Sequence, residues 1–191
     1  MLGLDEAGVG PGFGNLVACA LHIPENVDVQ GLTDSKKMTD KKRRIKFEDI
    51  TKNCFFGIGE VTNEEIDNGG LGEARKLVFE RALENFQSKY PDFHMKKLII
   101  DGTIFRSWKN IPYECVVKAD LKVPCVSAAS IIAKVTRDNQ IIKLCKDFPY
   151  LDTNYGLLKN KGYLVKEHIS GIVKNGKTKY HRHSYNLKLS E

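Results

Sequence analysis

Three runs in this chain each deliver a carboxylate at their C-terminal end. Met1-Leu-Gly-Leu leads into Asp5 and Glu6, Lys97-Leu-Ile-Ile leads into Asp101, and Tyr113 to Lys118 is followed by Ala119 and Asp120. Short apolar runs bounded by turn signals read as buried strands. If these strands lie side by side, their acids converge at one edge of a sheet. Carboxylates in such a place cannot stay bare. Burying an unpaired charge is costly, and crowded like charges either take up protons or bind cations. After the first run comes Gly8-Val9-Gly10, a turn whose two glycines let the backbone approach a ligand closely.

The rest of the chain alternates strands with helices. Asn15 to Ile23 is almost wholly apolar and reads as a second strand forming a hairpin with the first, and Cys54 to Val61 reads as a third, weakened by Gly57 and Gly59. Thr39 or Asp40 is placed to cap a helix with Ile45 and Ile50 on its apolar face and Phe47 less well placed. Residues 63–70 read as a capped turn or short helix. Leu71 to Tyr90 reads as a helix with Leu71, Ala74, Val78, Ala82 and Phe86 on one face, stopped by Pro91. The longest helix is predicted over Ser127 to Phe148, with Ser127 as N-cap and Lys134 paired to Asp138 one turn on. Asn154 to Tyr163 reads as a loop, Leu164 to Ile172 as a short helix, and the segment after it as a basic tail. His181 and His183 would share a face of a strand, but no third ligand nearby suggests zinc. The organisation expected is an α/β domain over 1–150 and a helical, basic cap over 151–191 that contributes to substrate binding.

Composition narrows the function classes. The net charge is +6 and the pI about 9.0, which permits a polyanionic partner without requiring one. The densest basic patch is Lys36, Lys37 and Lys41 to Arg44. Most of it reads as a solvated helix face, with Lys36 or Lys37 the candidates for phosphate contact. Five scattered cysteines without a C-x-x-C pair argue against a disulfide framework or a zinc site. No apolar run approaches the roughly 20 residues that span a bilayer. A soluble, cytoplasmic monomer without a membrane association is expected, and no protein-partner motif stands out.

Oxygen-only ligands favour a hard ion such as Mg2+ or Mn2+. Two such ions form the usual clamp for in-line attack on a phosphodiester. A structural calcium loop packs its acids within a dozen residues, whereas these span positions 5 to 120. A glycosidase needs only two carboxylates. A basic chain with an acidic centre fits a nuclease best, and a nucleic-acid-binding module without catalysis is the reading from another class.

The chain resembles the type 2 ribonucleases H, the ribonuclease HII family, along nearly its whole length. The resemblance rests on GLDEAGVG at 3–10, LTDSKK at 32–37, LIIDG at 98–102, KADLKVPCVSAASIIAKVTRD at 118–138, KGYLVKEH at 161–168 and YHRHSY at 180–185. It implies a ribonuclease H-like fold, with a central mixed five-stranded sheet flanked by helices and a small helical C-terminal part. It implies an endonuclease that cuts RNA in RNA–DNA hybrids and ribonucleotides embedded in DNA, leaving 5′-phosphate and 3′-hydroxyl ends. The family's four-acid site, holding two Mg2+ or Mn2+ ions, carries over onto Asp5, Glu6, Asp101 and Asp120. Substrate contacts carry over onto Gly8, Val9, Gly10, Ser35, Lys36, Tyr163 and Arg182, with Tyr163 beside the discriminating ribose. The family usually has Gly-Arg-Gly in the first turn, where this chain has Val9. The related ribonuclease HIII family has Gly-Thr-Gly there, usually with Glu as the fourth acid. An HIII-like preference for runs of ribonucleotides is therefore the alternative expectation.

Overall fold

The computed structural model describes residues 1–28 and 38–187. The predicted strands form β1 (Leu2–Ala7), β2 (Leu16–His22), β3 (Phe55–Val61), β4 (Leu98–Asp101) and β5 (Tyr113–Val116). They make one five-stranded sheet in the order β3-β2-β1-β4-β5. β1, β2 and β3 are antiparallel neighbours, whereas β4 lies parallel to both β1 and β5. The sheet is thus mixed, with β1 at its centre.

Period-two alternation sorts the strand residues to two faces. Leu2, Leu4, Leu98 and Ile100 join a core with Val78, Phe79, Ala82 and Phe86 of α2 (Asn63–Lys89). Cys19, Leu21 and Ile99 join a second core with Val126, Ala129, Ile132 and Ala133 of α3 (Pro124–Asp147). Gly57 and Gly59, read from sequence as a weakness, are what lets α2 lie on β3. A Cβ on Gly59 would stand 2.1 Å from the Val78 carbonyl oxygen, and one on Gly57 would stand 2.3 Å from the Phe86 amide nitrogen.

The helices depart from the predicted ones in instructive ways. α1 (Asp40–Asn53) is capped by Thr39, whose hydroxyl accepts from the Lys42 amide. Its buried contacts come from Ile50 and, partly, Phe47, while Ile45 is exposed. α2 is two helical pieces joined at Gly70, which has φ +78°. This matches the split reading of 63–70 and 71–90. α3 begins at Pro124 and not at Ser127. Proline's fixed φ and missing N–H suit a first helical turn, and Ser127 is buried inside the helix. The stretch predicted as a loop, Asn154 to Tyr163, holds the end of α4 (Tyr150–Tyr155) and all of α5 (Leu157–Asn160), and α6 (Lys166–Asn175) follows. Leu151, Tyr155, Leu157 and Ile172 from these helices pack with Phe13, Ile141 and Cys145 in a third core. Packing against the end of α3 stabilises pieces too short to be helical alone.

No helix among the described residues is long and apolar enough to cross a membrane.

Candidate active site

The parallel register sets Leu4 of β1 beside Ile100 of β4, and the next residue of each strand is a carboxylate, Asp5 and Asp101. Both fall on the face covered by α3. Glu6, one residue on, falls on the opposite face, toward α2. The two adjacent acids of the first motif therefore point to different helices. Asp5 is hydrogen-bonded to Ser130 of α3, and Glu6 accepts from Arg75 of α2. All three carboxylates nevertheless line one cavity of about 360 Å3 at the end of the sheet. Ala7, Gly8, Val9, Gly10, Arg43, Ser130, Lys134 and Tyr163 complete its wall.

Asp120 differs from the expectation. It does not end a strand. Lys118 takes a left-handed conformation with φ +57°, and Asp120 follows in a 3-10 turn over Ala119–Leu121. It is fully buried and is not among the residues lining the cavity. The turn is tied to the site, because the Ala119 amide donates to Asp101 Oδ1 at 2.7 Å.

Burial pushes the Asp5 carboxyl up to about 8, and the neighbouring Glu6 and Asp101 carboxylates push the same way. The Ser130 hydroxyl and the Glu6 amide, 2.8 Å from Asp5 Oδ1, pull against this shift. An oxygen-only donor set with crowded negative charge fits a hard divalent cation. Among the described residues, the acids do not close into a compact set of three or more metal ligands.

A stability prediction follows from Asp5. Its pKa is raised in the folded protein, so that the metal-free protein is favoured below the unfolded pKa near 3.8 and loses stability as pH rises toward about 8. Asp5→Asn removes this loss. One pKa unit is worth about 1.4 kcal/mol, or about 3–5 °C in Tm for a chain of this size. Thermal unfolding in chelator is expected to show the variant at least that much more stable at pH 8 and no more stable below pH 4.

The glycine turn is built for close approach. Gly8 has φ +103°, and a Cβ there would meet Arg137 Nε at 2.5 Å. The Gly10 Cα faces Tyr163, whose Cε1 would lie 3.5 Å from an added Cβ. Tyr163 is 44% exposed, so its ring is available at the cavity mouth. Lys134 Nζ stands 5.9 Å from that ring's centroid and pairs with Asp138 Oδ1 at 2.8 Å. The predicted Lys134–Asp138 pair is therefore present, with Asp138 buried rather than facing solvent.

Arg182, expected to bind substrate, is fully buried. It donates to the carbonyls of Gly14 and Val9 at 3.0 and 3.3 Å, and to the Tyr185 hydroxyl at 2.9 Å. Its charge is spent holding the first loop and cannot meet a phosphate from there. Ser35 and Lys36, with Lys37, lie outside the described residues.

His181 and His183 do not form a strand pair. His181 makes an isolated bridge with Phe13 and is buried, and His183 is exposed. His181 Nδ1 accepts from the Thr178 amide at 2.9 Å, so its proton sits on Nε2 and is donated to His168 Nε2 at 3.1 Å. His168 then donates from Nδ1 to the Tyr163 carbonyl at 3.0 Å. Burial, with His168, Lys177 and His183 adding to it, pulls His181 down to about 3, which keeps this relay neutral. Residues 181 and 182 thus anchor the backbone of both Tyr163 and Val9.

Several residues at the site are not singled out from sequence, and Lys134 is read there only as the partner of Asp138. Ser130, Lys134 and Arg137 recur at spacings of four and three along α3, a polar line beside its apolar stripe. Arg75 stands four after Leu71 and three before Val78, so an arginine occupies a position on the buried stripe of α2. Both patterns are readable signals.

The family model for ribonuclease HII matches residues 2–188. The chain belongs to the ribonuclease HII family. Ribonuclease HII of Pelagibacter ubique is 39% identical over 185 residues, covering 97% of this chain and 95% of that protein. Among solved structures, ribonuclease H2 of Pyrococcus horikoshii matches with a TM-score of 0.75 at 26% identity, over 97% of this chain and 93% of that one. Ribonuclease HII of Archaeoglobus fulgidus, solved in complex with PCNA, matches in fold with a TM-score of 0.77 at 24% identity, over 100% and 96% of the two chains. The five-stranded mixed sheet with its helices matches these structures in the ribonuclease H-like fold. As a ribonuclease HII, the protein is a metal-dependent endoribonuclease that hydrolyses the RNA strand of RNA–DNA hybrids and ribonucleotides embedded in duplex DNA.

Proposed function

We propose that this ribonuclease HII performs its hydrolysis at the cavity between β1 and β4, with Asp5, Glu6, Asp101 and Asp120 holding two divalent ions, Mg2+ or Mn2+. The observation that carries this reading is the convergence of Asp5, Glu6 and Asp101 on one cavity that Tyr163 and the Gly8–Gly10 turn also line. When bound, such ions supply an activated water and charge stabilisation for in-line displacement at a phosphodiester, leaving a 5′-phosphate and a 3′-hydroxyl.

The chain's own residues divide the remaining work. Ser130 orients Asp5. The Ala119 amide orients Asp101 and couples it to the turn that carries Asp120. The Gly8–Gly10 backbone gives the substrate's sugar-phosphate a close seat. Tyr163 lies across that turn and tests the sugar, since the 2′-hydroxyl alone distinguishes RNA from DNA at one residue. Val9 contributes through its backbone. Its side chain packs against the α2-side core, and its carbonyl accepts from Arg182 and the Tyr185 hydroxyl. Binding of the duplex weakens with salt, as phosphate neutralisation requires.

Tyr163→Ala tests the substrate assignment. Removing the ring is expected to lower kcat/KM on a duplex with one embedded ribonucleotide by about 10-fold or more, in line with roughly 1–3 kcal/mol for a stacking aromatic. The unfolding midpoint is expected to change little, because the ring sits at the surface, 44% exposed, outside the buried cores. Unchanged kcat/KM on that duplex would remove Tyr163 from the site.

A further inference from the structure

Glu6 is distinguished from the other acids by its partner. Arg75 Nε donates to Glu6 Oε1 at 2.9 Å, and Arg75 Nη2 donates to the same oxygen. The pair is poorly exposed, with side-chain exposures of 19% for Arg75 and 6% for Glu6. Arg75 also lies near the other end of the acid site, because a Cβ on Gly102, next to Asp101, would be 3.5 Å from Arg75 Nη2. Two forked donors on one carboxylate oxygen in a low-dielectric setting make a strong, charge-assisted contact. A cation brought to Glu6 meets a positive charge already seated there.

We propose that Arg75 is a positioning residue that acts as a built-in counter-cation for Glu6, competing with the divalent ion that must share this carboxylate. The inference rests on the metal-site reading above. Among the described residues, Asp5 and Asp101, on the α3 face, accept from uncharged donors, Ser130 and the Glu6 and Ala119 amides, and not from a cation. Glu6, on the α2 face, must first give up at least part of its bond to Arg75. The site therefore binds one ion readily and the ion at Glu6 weakly. The ion requirement of this enzyme is set by Arg75 as much as by the acids.

Calorimetric titration of the whole, metal-free chain with Mn2+ alone tests this, comparing wild type, Arg75→Gln, Arg75→Lys and Asp101→Asn. Arg75→Gln is expected to tighten the weaker Mn2+ event at least 10-fold, while Arg75→Lys, which keeps the charge, stays within about 3-fold of wild type. The gain is expected to vanish when Glu6→Gln is added to Arg75→Gln. Unchanged or weaker Mn2+ binding in Arg75→Gln overturns the proposal, since weaker binding would mean that Arg75 holds Glu6 ready for the ion. Absence of any Mn2+ binding that Asp101→Asn weakens would overturn the metal-site reading and the proposal together. Should Arg75→Gln fail to fold, the Nε–H resonance of Arg75 in the wild-type protein decides. It is expected to shift as Mg2+ is added to saturation, and an unmoved resonance overturns the proposal.

Discussion

Asp101→Asn is expected to leave a folded protein that still binds an RNA–DNA duplex and cleaves it at least about 10³-fold more slowly, a loss at or above that for removing one preorganised electrostatic group. Asp101 stands beside Asp5 through the β1–β4 register and receives the Ala119 amide on Oδ1. Asparagine preserves that shape and can keep the backbone hydrogen bond, but it removes the carboxylate that the proposed divalent ion needs. Single-turnover cleavage of a labelled hybrid, with binding measured in parallel, separates the chemical loss from a binding loss. A variant within about 10-fold of wild type would take Asp101 out of the catalytic set.

The largest effect on stability is expected from Arg137→Met. Arg137 is 1% exposed and donates to the carbonyls of Phe13, Asn15 and Lys161 at 2.8, 3.2 and 3.0 Å. Burial, with Arg182 nearby, lowers its pKa to about 10, so it remains charged at neutral pH. Methionine fills similar space but leaves three inward-facing carbonyls without this donor. At about 1–3 kcal/mol for each unsatisfied buried group, the variant is expected to lose about 3 kcal/mol or more, which is a fall in Tm of about 6–12 °C for a chain of this size. Lysine is not expected to rescue it, because an ammonium cannot fork among three acceptors as a guanidinium does. Activity is expected to fall with stability, since the same carbonyls fix the loop after Gly8 and the approach to Tyr163. Thermal unfolding checks the first effect, and cleavage below the variant's melting range checks the second.

Much of this architecture is legible in the residues because strands and helices impose different periods. Apolar runs ending in Asp5, Asp101 and the Tyr113 segment announce adjacent strands, and Ala74, Val78, Ala82 and Phe86 announce the helix that covers them. What does not show is set by tertiary contact. Arg182 looks like a surface cation in a basic tail, and only the folded chain reveals the carbonyls of Gly14 and Val9 that bury it. The helices over 150–160 draw their stability from Phe13 and Ile141, which are distant in sequence. Asp120 looks in sequence like the end of a strand, because nothing local announces the left-handed turn at Lys118. The adjacent pair Asp5-Glu6 looks like a single acidic unit, yet strand alternation sends its members to opposite faces, and only the seat of Arg75 on α2 shows what that separation does.

The decisive measurement for a metal-dependent ribonuclease at this cavity is incision of a labelled DNA duplex that carries one ribonucleotide, with Mg2+ and with Mn2+, beside an all-DNA duplex and a full RNA–DNA hybrid. Ion-dependent incision of the single-ribonucleotide and hybrid duplexes, products with 5′-phosphate and 3′-hydroxyl ends, and an untouched all-DNA duplex are expected. Binding to all three duplexes without incision of any, or cutting of the all-DNA duplex at a comparable rate, would contradict this reading of the cavity.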